Sequence, residues 1–293
     1  MSKKLVREYY SKDCLYEWRR LVQDPYHRLE LDTTLHFLRK FLPAEGLVLD
    51  AGGGPGRYTI ELAKQGYDVI LLDLTPGLLE MARKQIGRAG VKEKVKAVVT
   101  GSIDNLNVLP DNHFDAVLCL GGAFSHLVDR RNRSRAGAEL VRVAKKKAPV
   151  FISVAGRPAK FVNALELLPR GLLSASDVFW NDTLRRGDYR GGYGFTAAHF
   201  FTPTELRQEL HGRLRVLEMI GLEGFFSTHR REYNRAIGMG KYTKALRELH
   251  IDTCTDPVAV GISEHILLVG RKRLHGRPAR ISEDENQGQS PDS

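Results

Sequence analysis

Apolar positions fall into two rhythms along this chain. Leu47 to Ala51, Asp68 to Leu72, Val95 to Val99, Phe114 to Leu120 and Val150 to Val154 are short, nearly continuous apolar runs. Runs of that kind read as strands covered on both faces. Between them the pattern changes to helical spacing, over Arg57 to Lys64, through Leu78, Leu79, Met81, Ala82 and Ile86, and around Arg131 to Ala144. Strands alternating with amphipathic helices predict an α/β fold, a doubly wound and mostly parallel sheet.

The flanks read differently. Pro25 is set to open a helix with Leu29, Leu31, Leu35, Phe37, Leu38 and Phe41 as its apolar positions, and Pro43 to end it. Thr75-Pro76 reads as an N-cap with proline in the first turn. Residues 156–200 break the rhythm, with a helix expected over Phe161 to Leu168 and a Gly/Tyr-rich loop from Gly187 to Phe195. Thr202-Pro203-Thr204-Glu205 is a capping box that restarts it. A sixth strand is expected at Leu214 to Ile220, helix over 228–250 and a last strand at His265 to Val269. The organisation expected is a helical cap at 1–44, a main domain at 45–270 carrying a lid insertion at 156–200, and a disordered basic and polar tail at 271–293.

Composition narrows the class. With 293 residues, 42% hydrophobic and 27% charged, the chain has the balance of a globular protein. No apolar stretch approaches the ~18 residues that span a bilayer. The charged, aromatic start is not a secretory signal, so the expected address is cytoplasmic and no membrane partner is expected. Cys14, Cys119 and Cys254 are far apart and form no CxxC pair, which reads as reduced thiols and no metal site. A net charge of +10 keeps nucleic acid open as a partner, the densest basic spots being Arg130 to Arg135, Lys145 to Lys147 and Arg271 to Arg273. Oligomeric state is left open.

The chemistry is concentrated in Val48-Leu49-Asp50-Ala51-Gly52-Gly53-Gly54-Pro55-Gly56-Arg57-Tyr58. A strand runs into an acidic residue, then into glycines at every second position, then into a helix. Glycines at such a turn let the backbone bend sharply and approach a ligand. The Gly52-x-Gly54-x-Gly56 spacing differs from the wider GxGxxG of dinucleotide binders, which disfavours a NAD-type oxidoreductase. The next strand closes in Asp73, where a carboxylate can accept both hydrogen bonds of a ribose diol.

These residues resemble class I S-adenosylmethionine-dependent methyltransferases, whose first motif is an acidic residue followed by GxGxG and whose second is an acidic residue closing the next strand. The resemblance implies a Rossmann-like, seven-stranded sheet with its last strand antiparallel, S-adenosyl-L-methionine as cofactor, and a site with Asp50 anchoring the loop near the methionine amino group. It implies that Gly52, Gly54 and Gly56 bend beside the cofactor, and that Asp73, with Leu74 after it, meets the ribose. The third motif maps to Ser102 and Ile103 beside the adenine, with Ser102 in place of the usual acidic residue, which leaves Asp104 as an alternative. The fourth maps to Leu120 and Gly121, at the methionine end and the acceptor channel.

Methyl transfer is an in-line displacement that needs alignment and exclusion of water, and a base only when the acceptor carries a proton. His126, just after the fourth strand, and Tyr10, from the N-terminal segment, are the catalytic candidates, with Tyr9 and His199 nearby in the reading. Trp180, Tyr189, Tyr193 and Phe200 are candidates for lining an acceptor pocket. The expected activity is methyl transfer to a small-molecule acceptor. RNA (tRNA or rRNA) or protein methylation and a noncatalytic cofactor-binding module are the alternatives. The run Leu120-Gly121-Gly122-Ala123-Phe124 lacks the Asn/Asp-Pro-Pro-aromatic signature of base-amine methylation.

Overall fold

The computed structural model describes residues 2–167, 179–192 and 195–273. Seven strands form one sheet: β1 (Leu47–Ala51), β2 (Asp68–Asp73), β3 (Val95–Thr100), β4 (Ala116–Cys119), β5 (Pro149–Ala155), β6 (Leu214–Gly221) and β7 (His265–Lys272). Their order is β3-β2-β1-β4-β5-β7-β6. Pairs among β1 to β5 are parallel, and β7 runs antiparallel between β5 and β6. The chain crosses over between β1 and β4, so the loops after them diverge and leave a crevice at the carboxyl edge of the sheet.

Alternation within each strand feeds two cores. Leu49, Val117, Ile152 and Leu268 face one side, against Ala136 and Leu140 of α6 (Arg130–Val143) and Leu206 of α8 (Pro203–Glu209). Val48, Leu118, Phe151 and Leu267 face the other, against Leu31, Leu35 and Leu38 of α3 (Pro25–Phe41) and Leu62 of α4 (Arg57–Lys64). Leu79, Ala82 and Ile86 of α5 (Pro76–Arg88) join Ile60 and Leu71. The central strands β1, β4 and β5 are therefore dry on both faces, as their continuous apolar runs require, whereas β3, at the edge of the sheet, is only half-buried despite its apolar run.

Two short helices, α1 (Ser2–Lys12) and α2 (Cys14–Arg20), precede α3. Asp24 caps α3, its carboxylate accepting the His27 N–H at 2.9 Å, and Pro25 stands in the first turn. The capping box at Thr202 is formed: its hydroxyl accepts from the Glu205 N–H at 3.2 Å, and the Glu205 carboxylate accepts the Thr202 N–H at 2.8 Å. Thr75 holds the N-cap position of α5 without a side-chain cap bond. Its own N–H is instead taken by the Asp73 carboxylate at 2.8 Å.

Several boundaries depart from the sequence reading. The insertion helix α7 begins early, at Arg157, and runs to Leu167 (Arg157–Leu167); Leu168 lies outside the described residues. Residues 228–250 are not one helix but α9 (Arg230–Gly238) and α10 (Thr243–Thr253), and α11 (Pro257–Ile262) follows. The last strand continues past Val269 to Lys272, whose ammonium donates to the carbonyls of Arg142 and Ala144 at 3.0 and 2.8 Å. Arg271 and Lys272, expected in the disordered tail at 271–293, are therefore in the strand, paired with β5 and β6, and residues from 274 onward lie outside the described residues.

Some side chains of the basic clusters make internal bonds. Arg133 is 6% exposed, donates to the Leu127 carbonyl at 3.0 Å and lies 3.7 Å from Glu209. Arg135 pairs with Asp104 at 3.0 Å and Lys145 with Asp115 at 2.7 Å. Among the described residues no helix is long and apolar enough to cross a membrane.

Candidate active site

A cleft opens at the carboxyl edge, between the ends of β1, β2, β3 and β4 and the overlying α1 and α2. It is lined by Gly52, Gly54, Asp73, Leu74, Ser102, Ile103, Leu120, Gly121, Tyr10 and His126. Two of the expected site residues stand outside it. Asp50 is fully buried beneath the glycine loop, where its carboxylate accepts the Thr59 hydroxyl at 2.6 Å. Gly56 caps α4, and its N–H donates to the Gly53 carbonyl at 3.0 Å.

The glycine turn is sterically enforced. Gly52 has φ +79°, and a Cβ there would lie 2.5 Å from the Cβ of Ala123. Gly54 has φ +54°, and the nearest atom a Cβ would meet is Leu78 Cδ1 at 3.7 Å, so its backbone faces open space. The turn is tied to β2 in two places. The Gly52 N–H donates to the Leu72 carbonyl at 2.6 Å, and the Gly54 N–H to the Asp73 carboxylate at 2.9 Å.

Asp73 therefore accepts one backbone N–H on each oxygen, from Gly54 and Thr75. Each oxygen keeps lone-pair capacity for a further donor. Burial raises its pKa above the usual carboxylate range, and the two N–H bonds oppose the rise. Burial likewise pushes Asp50 up to about 6, against the Thr59 bond and with help from the nearby Asp73 charge. The other oxygen of Asp50 is buried without a partner, a stored acceptor under the loop.

Ser102 lines the cleft, and its hydroxyl donates to Asp104 Oδ1 at 2.6 Å. Asp104 itself is buried and also pairs with Lys3 at 2.6 Å and Arg135 at 3.0 Å. The alternative placed on Asp104 is thus set aside: its carboxylate is committed to these three groups, while Ser102 faces the cleft.

Tyr10 and His126 meet. The Tyr10 hydroxyl lies 2.8 Å from His126 Nε2, and His126 Nδ1 lies 3.0 Å from the Ala197 carbonyl. A carbonyl only accepts, so Nδ1 carries the hydrogen, Nε2 is the acceptor, and the Tyr10 hydroxyl donates to it. Burial lowers the His126 pKa below the ordinary histidine value, the bond to Ala197 opposing the shift, so the ring is neutral. Burial also raises the Tyr10 pKa, keeping the phenol protonated. Tyr9 packs edge-on against Phe195, which lies 5.6 Å from His126, so the insertion and α1 close over the same end of the cleft.

The other aromatic candidates lie elsewhere. Phe200 is buried with Ala155 and Ala198, and Tyr189 packs against that group. His199 pairs with Asp188 at 2.6 Å and stacks edge-on against Phe201, in a short ribbon of Asp188–Tyr189 and Ala198–His199. None of Trp180, Tyr189, His199 or Phe200 lines this cleft, and Tyr193 lies outside the described residues.

Sequence reasoning missed Arg20, Lys3, Val6, Leu78 and Leu127, all in the cleft wall. Lys3, Val6 and Tyr10 follow helical spacing, a signal present in the sequence although the cleft they face is not. Arg20 carried no signal, being one of 45 basic residues. Its guanidinium donates to Glu17 at 3.0 Å and Glu30 at 2.7 Å, which leaves N–H groups over beside Gly121.

A crevice at the switch point of a 3-2-1-4-5-7-6 sheet, with a glycine turn and a strand-closing carboxylate, defines a Rossmann-like methyltransferase domain. Residues 48–147 match the sequence family described as "Methyltransferase domain". A glycine/sarcosine N-methyltransferase of Parasynechococcus marenigrum (strain WH8102) is 33% identical over 140 residues, 46% of this chain and 47% of that protein. A ubiquinone biosynthesis O-methyltransferase of Xanthomonas axonopodis pv. citri (strain 306) is 31% identical over 157 residues, 51% of this chain and 63% of that protein. The chain thus spans about half to two-thirds of the length of these relatives. A SAM-dependent methyltransferase structure from Methanosarcina mazei superposes with a TM-score of 0.55 at 20% identity, covering 82% of this chain and 98% of that one, which shows the shared fold. Residues 48–147 thus carry a methyltransferase domain, set in a fold shared with that structure. The Methanosarcina protein is, by its name, dependent on S-adenosylmethionine.

The residues present fit that group. The open face at Gly54 and the lone pairs of Asp73 suit a ribose, the apolar walls at Leu74 and Ile103 an adenine, and the spare N–H groups of Arg20 an amino-acid arm, all in one cleft.

Proposed function

We propose that this protein transfers the methyl group of S-adenosylmethionine to a small-molecule acceptor bearing an O–H or N–H. The observation that carries the reading is the convergence of all four strand-end motifs and the Tyr10–His126 pair on one cleft. The two relatives named above methylate, by their names, glycine or sarcosine and a ubiquinone precursor. A small acceptor fits a cleft that α1 and α2 overlie.

In this reading Asp73 accepts from the ribose hydroxyls, and Gly52 and Gly54 bring backbone close to the sugar. Ile103 and Leu74 flank the adenine while the Ser102 oxygen accepts from it. Leu120 and Gly121 line the path to the sulfonium, and Arg20 takes the carboxylate of the amino-acid arm. Asp50 and Gly56 act on the loop and not on the ligand, because neither reaches the cleft.

The cofactor supplies a methyl group already made electrophilic by its sulfonium. The chain aligns the acceptor, excludes water and removes its proton. Tyr10 stays protonated in its buried site, so it passes a proton on only as it receives one. The acceptor proton goes to the Tyr10 oxygen while the Tyr10 proton goes to His126 Nε2, and the resulting imidazolium keeps its Nδ1–H on the Ala197 carbonyl. The lid role of the insertion rests on Ala197 and Phe195, which close on His126 from outside the sheet.

Incubating the protein with methyl-labelled cofactor and a cell extract tests the reading. Label is expected in the small-molecule fraction, and Asp73→Ala should weaken cofactor binding by about tenfold or more, the worth of a charged hydrogen bond. Label confined to RNA or protein, or unchanged affinity in Asp73→Ala, contradicts it.

A further inference from the structure

Behind Arg20 the wall of the cleft continues as a file of alternating charges. The Arg20 guanidinium donates to Glu17 Oε1 at 3.0 Å and to Glu30 Oε2 at 2.7 Å. Glu30 Oε2 lies 3.7 Å from His265 Nδ1, and His265 Nδ1 donates to Glu223 Oε1 at 2.7 Å. The other Glu223 oxygen accepts the backbone N–H of His265 at 2.8 Å and the Ser263 hydroxyl at 3.0 Å. The file joins α2, α3, the loop after β6 and the first residue of β7. The Glu30 and Glu223 side chains are each 2% exposed.

Two carboxylates this dry and this close need a cation between them. Burial opposes a charge on His265, but Glu30, Glu223 and the adjacent Glu264 outweigh it and lift its pKa to about 9. The remaining charged neighbours are committed elsewhere: Glu264 faces Lys160 at 3.9 Å and accepts the Tyr26 hydroxyl at 3.0 Å, and His27 is paired with Asp24 at 2.9 Å. Arg20 is shared between Glu17 and Glu30, and His265 is the cation that stands between Glu30 and Glu223.

We propose that His265 is a positioning residue: as an imidazolium between Glu30 and Glu223 it fixes Glu30, and through Glu30 the Arg20 guanidinium that meets the carboxylate of the cofactor's amino-acid arm. The inference rests on the cofactor reading above and deepens it. Without the imidazolium charge, Glu30 and Glu223 repel across a dry gap. Glu30 then moves or takes up a proton, and Arg20 loses the partner that aims it. Because the His265 pKa lies above its unfolded value of about 6.5, its contribution is complete below that pH and is lost as pH rises through about 9.

The test compares two ligands that differ in the amino-acid arm, S-adenosylhomocysteine and 5′-methylthioadenosine, by calorimetry on the full chain. His265→Gln is expected to weaken S-adenosylhomocysteine about tenfold and to leave 5′-methylthioadenosine within about twofold. His265→Lys, which keeps a cation, should recover part of that loss. Wild-type affinity for S-adenosylhomocysteine should also fall above about pH 9 more steeply than that of His265→Gln, a comparison in which titration of the ligand cancels. Equal affinities in wild type and His265→Gln, or a parallel loss for both ligands, overturn the inference. Failure of the wild type to bind either ligand overturns the cofactor reading itself.

Discussion

Tyr10 and His126 are 116 positions apart in the chain, yet one hydrogen bond and one carbonyl settle their chemistry. The Ala197 carbonyl selects the tautomer, burial keeps the ring neutral, and the phenol donates to it; in the proposed reaction the phenol is the group that meets the acceptor. Tyr10→Phe and His126→Gln should each lower kcat by about 10²–10⁴, with a much smaller change in cofactor affinity, measured by single turnover and calorimetry. A neutral His126 is needed, and its pKa lies below the usual value. The acid limb of the wild-type rate should therefore fall below about pH 6.5 and be absent in His126→Gln. A limb at higher pH, or one unchanged in the variant, contradicts the assignment. At this scale the motif residues were legible: a carboxylate closing β2 and glycines at a strand end have few other physical uses in that order. Arg20 and His265 were not, because charged side chains on a helix and at a strand start look the same whether they face water or one another.

Among the elements, the turn from β1 to α4 and the insertion after β5 bear on the site in opposite ways. The turn is rigid: Gly52 combines a left-handed backbone with a neighbour that excludes a side chain. Gly52→Ala should cost about 2 kcal/mol or more in a denaturant titration and weaken cofactor binding in parallel, since strain and clash both act where the ligand lies. The insertion is held from below. Arg157, 7% exposed, donates to the carbonyls of Phe200 and Arg185 and pairs with Glu205 of the capping box, so the ribbon that presents Ala197 is clamped to α8. The break in rhythm at 156 announced an insertion, but nothing local to its sequence said which of its aromatics would reach the site. Phe195 touches the ring of His126 from behind the cleft wall, while Phe200 packs inward.

For the molecule as a whole, the sheet is the platform on which every site residue depends. Phe151 is fully buried on β5, in the core shared with α3 and α4. Phe151→Ala should destabilise the fold by about 3–5 kcal/mol, read as a lower denaturant midpoint with an unchanged slope. A loss of activity without that shift would mean the strand is not central. The +10 net charge kept nucleic acid open as a partner; at this scale the structure adds that Arg133, Arg135, Lys145 and Lys272 each make an internal bond to a carbonyl or carboxylate.

The sequence by itself determined the strand and helix periods, the glycine turn, the carboxylate at the end of β2, and hence the resemblance to methyltransferases. Each is a local consequence of backbone sterics or of two-faced burial, and local rules are written in neighbouring residues. Only the tertiary structure decided that α1 lies across the cleft, that His126 is neutral with its hydrogen on Nδ1, and that Arg20, Glu30, His265 and Glu223 form one file of charge. Those outcomes depend on desolvation and on distances between segments far apart in the chain, and neither quantity exists until the sheet has brought the segments together.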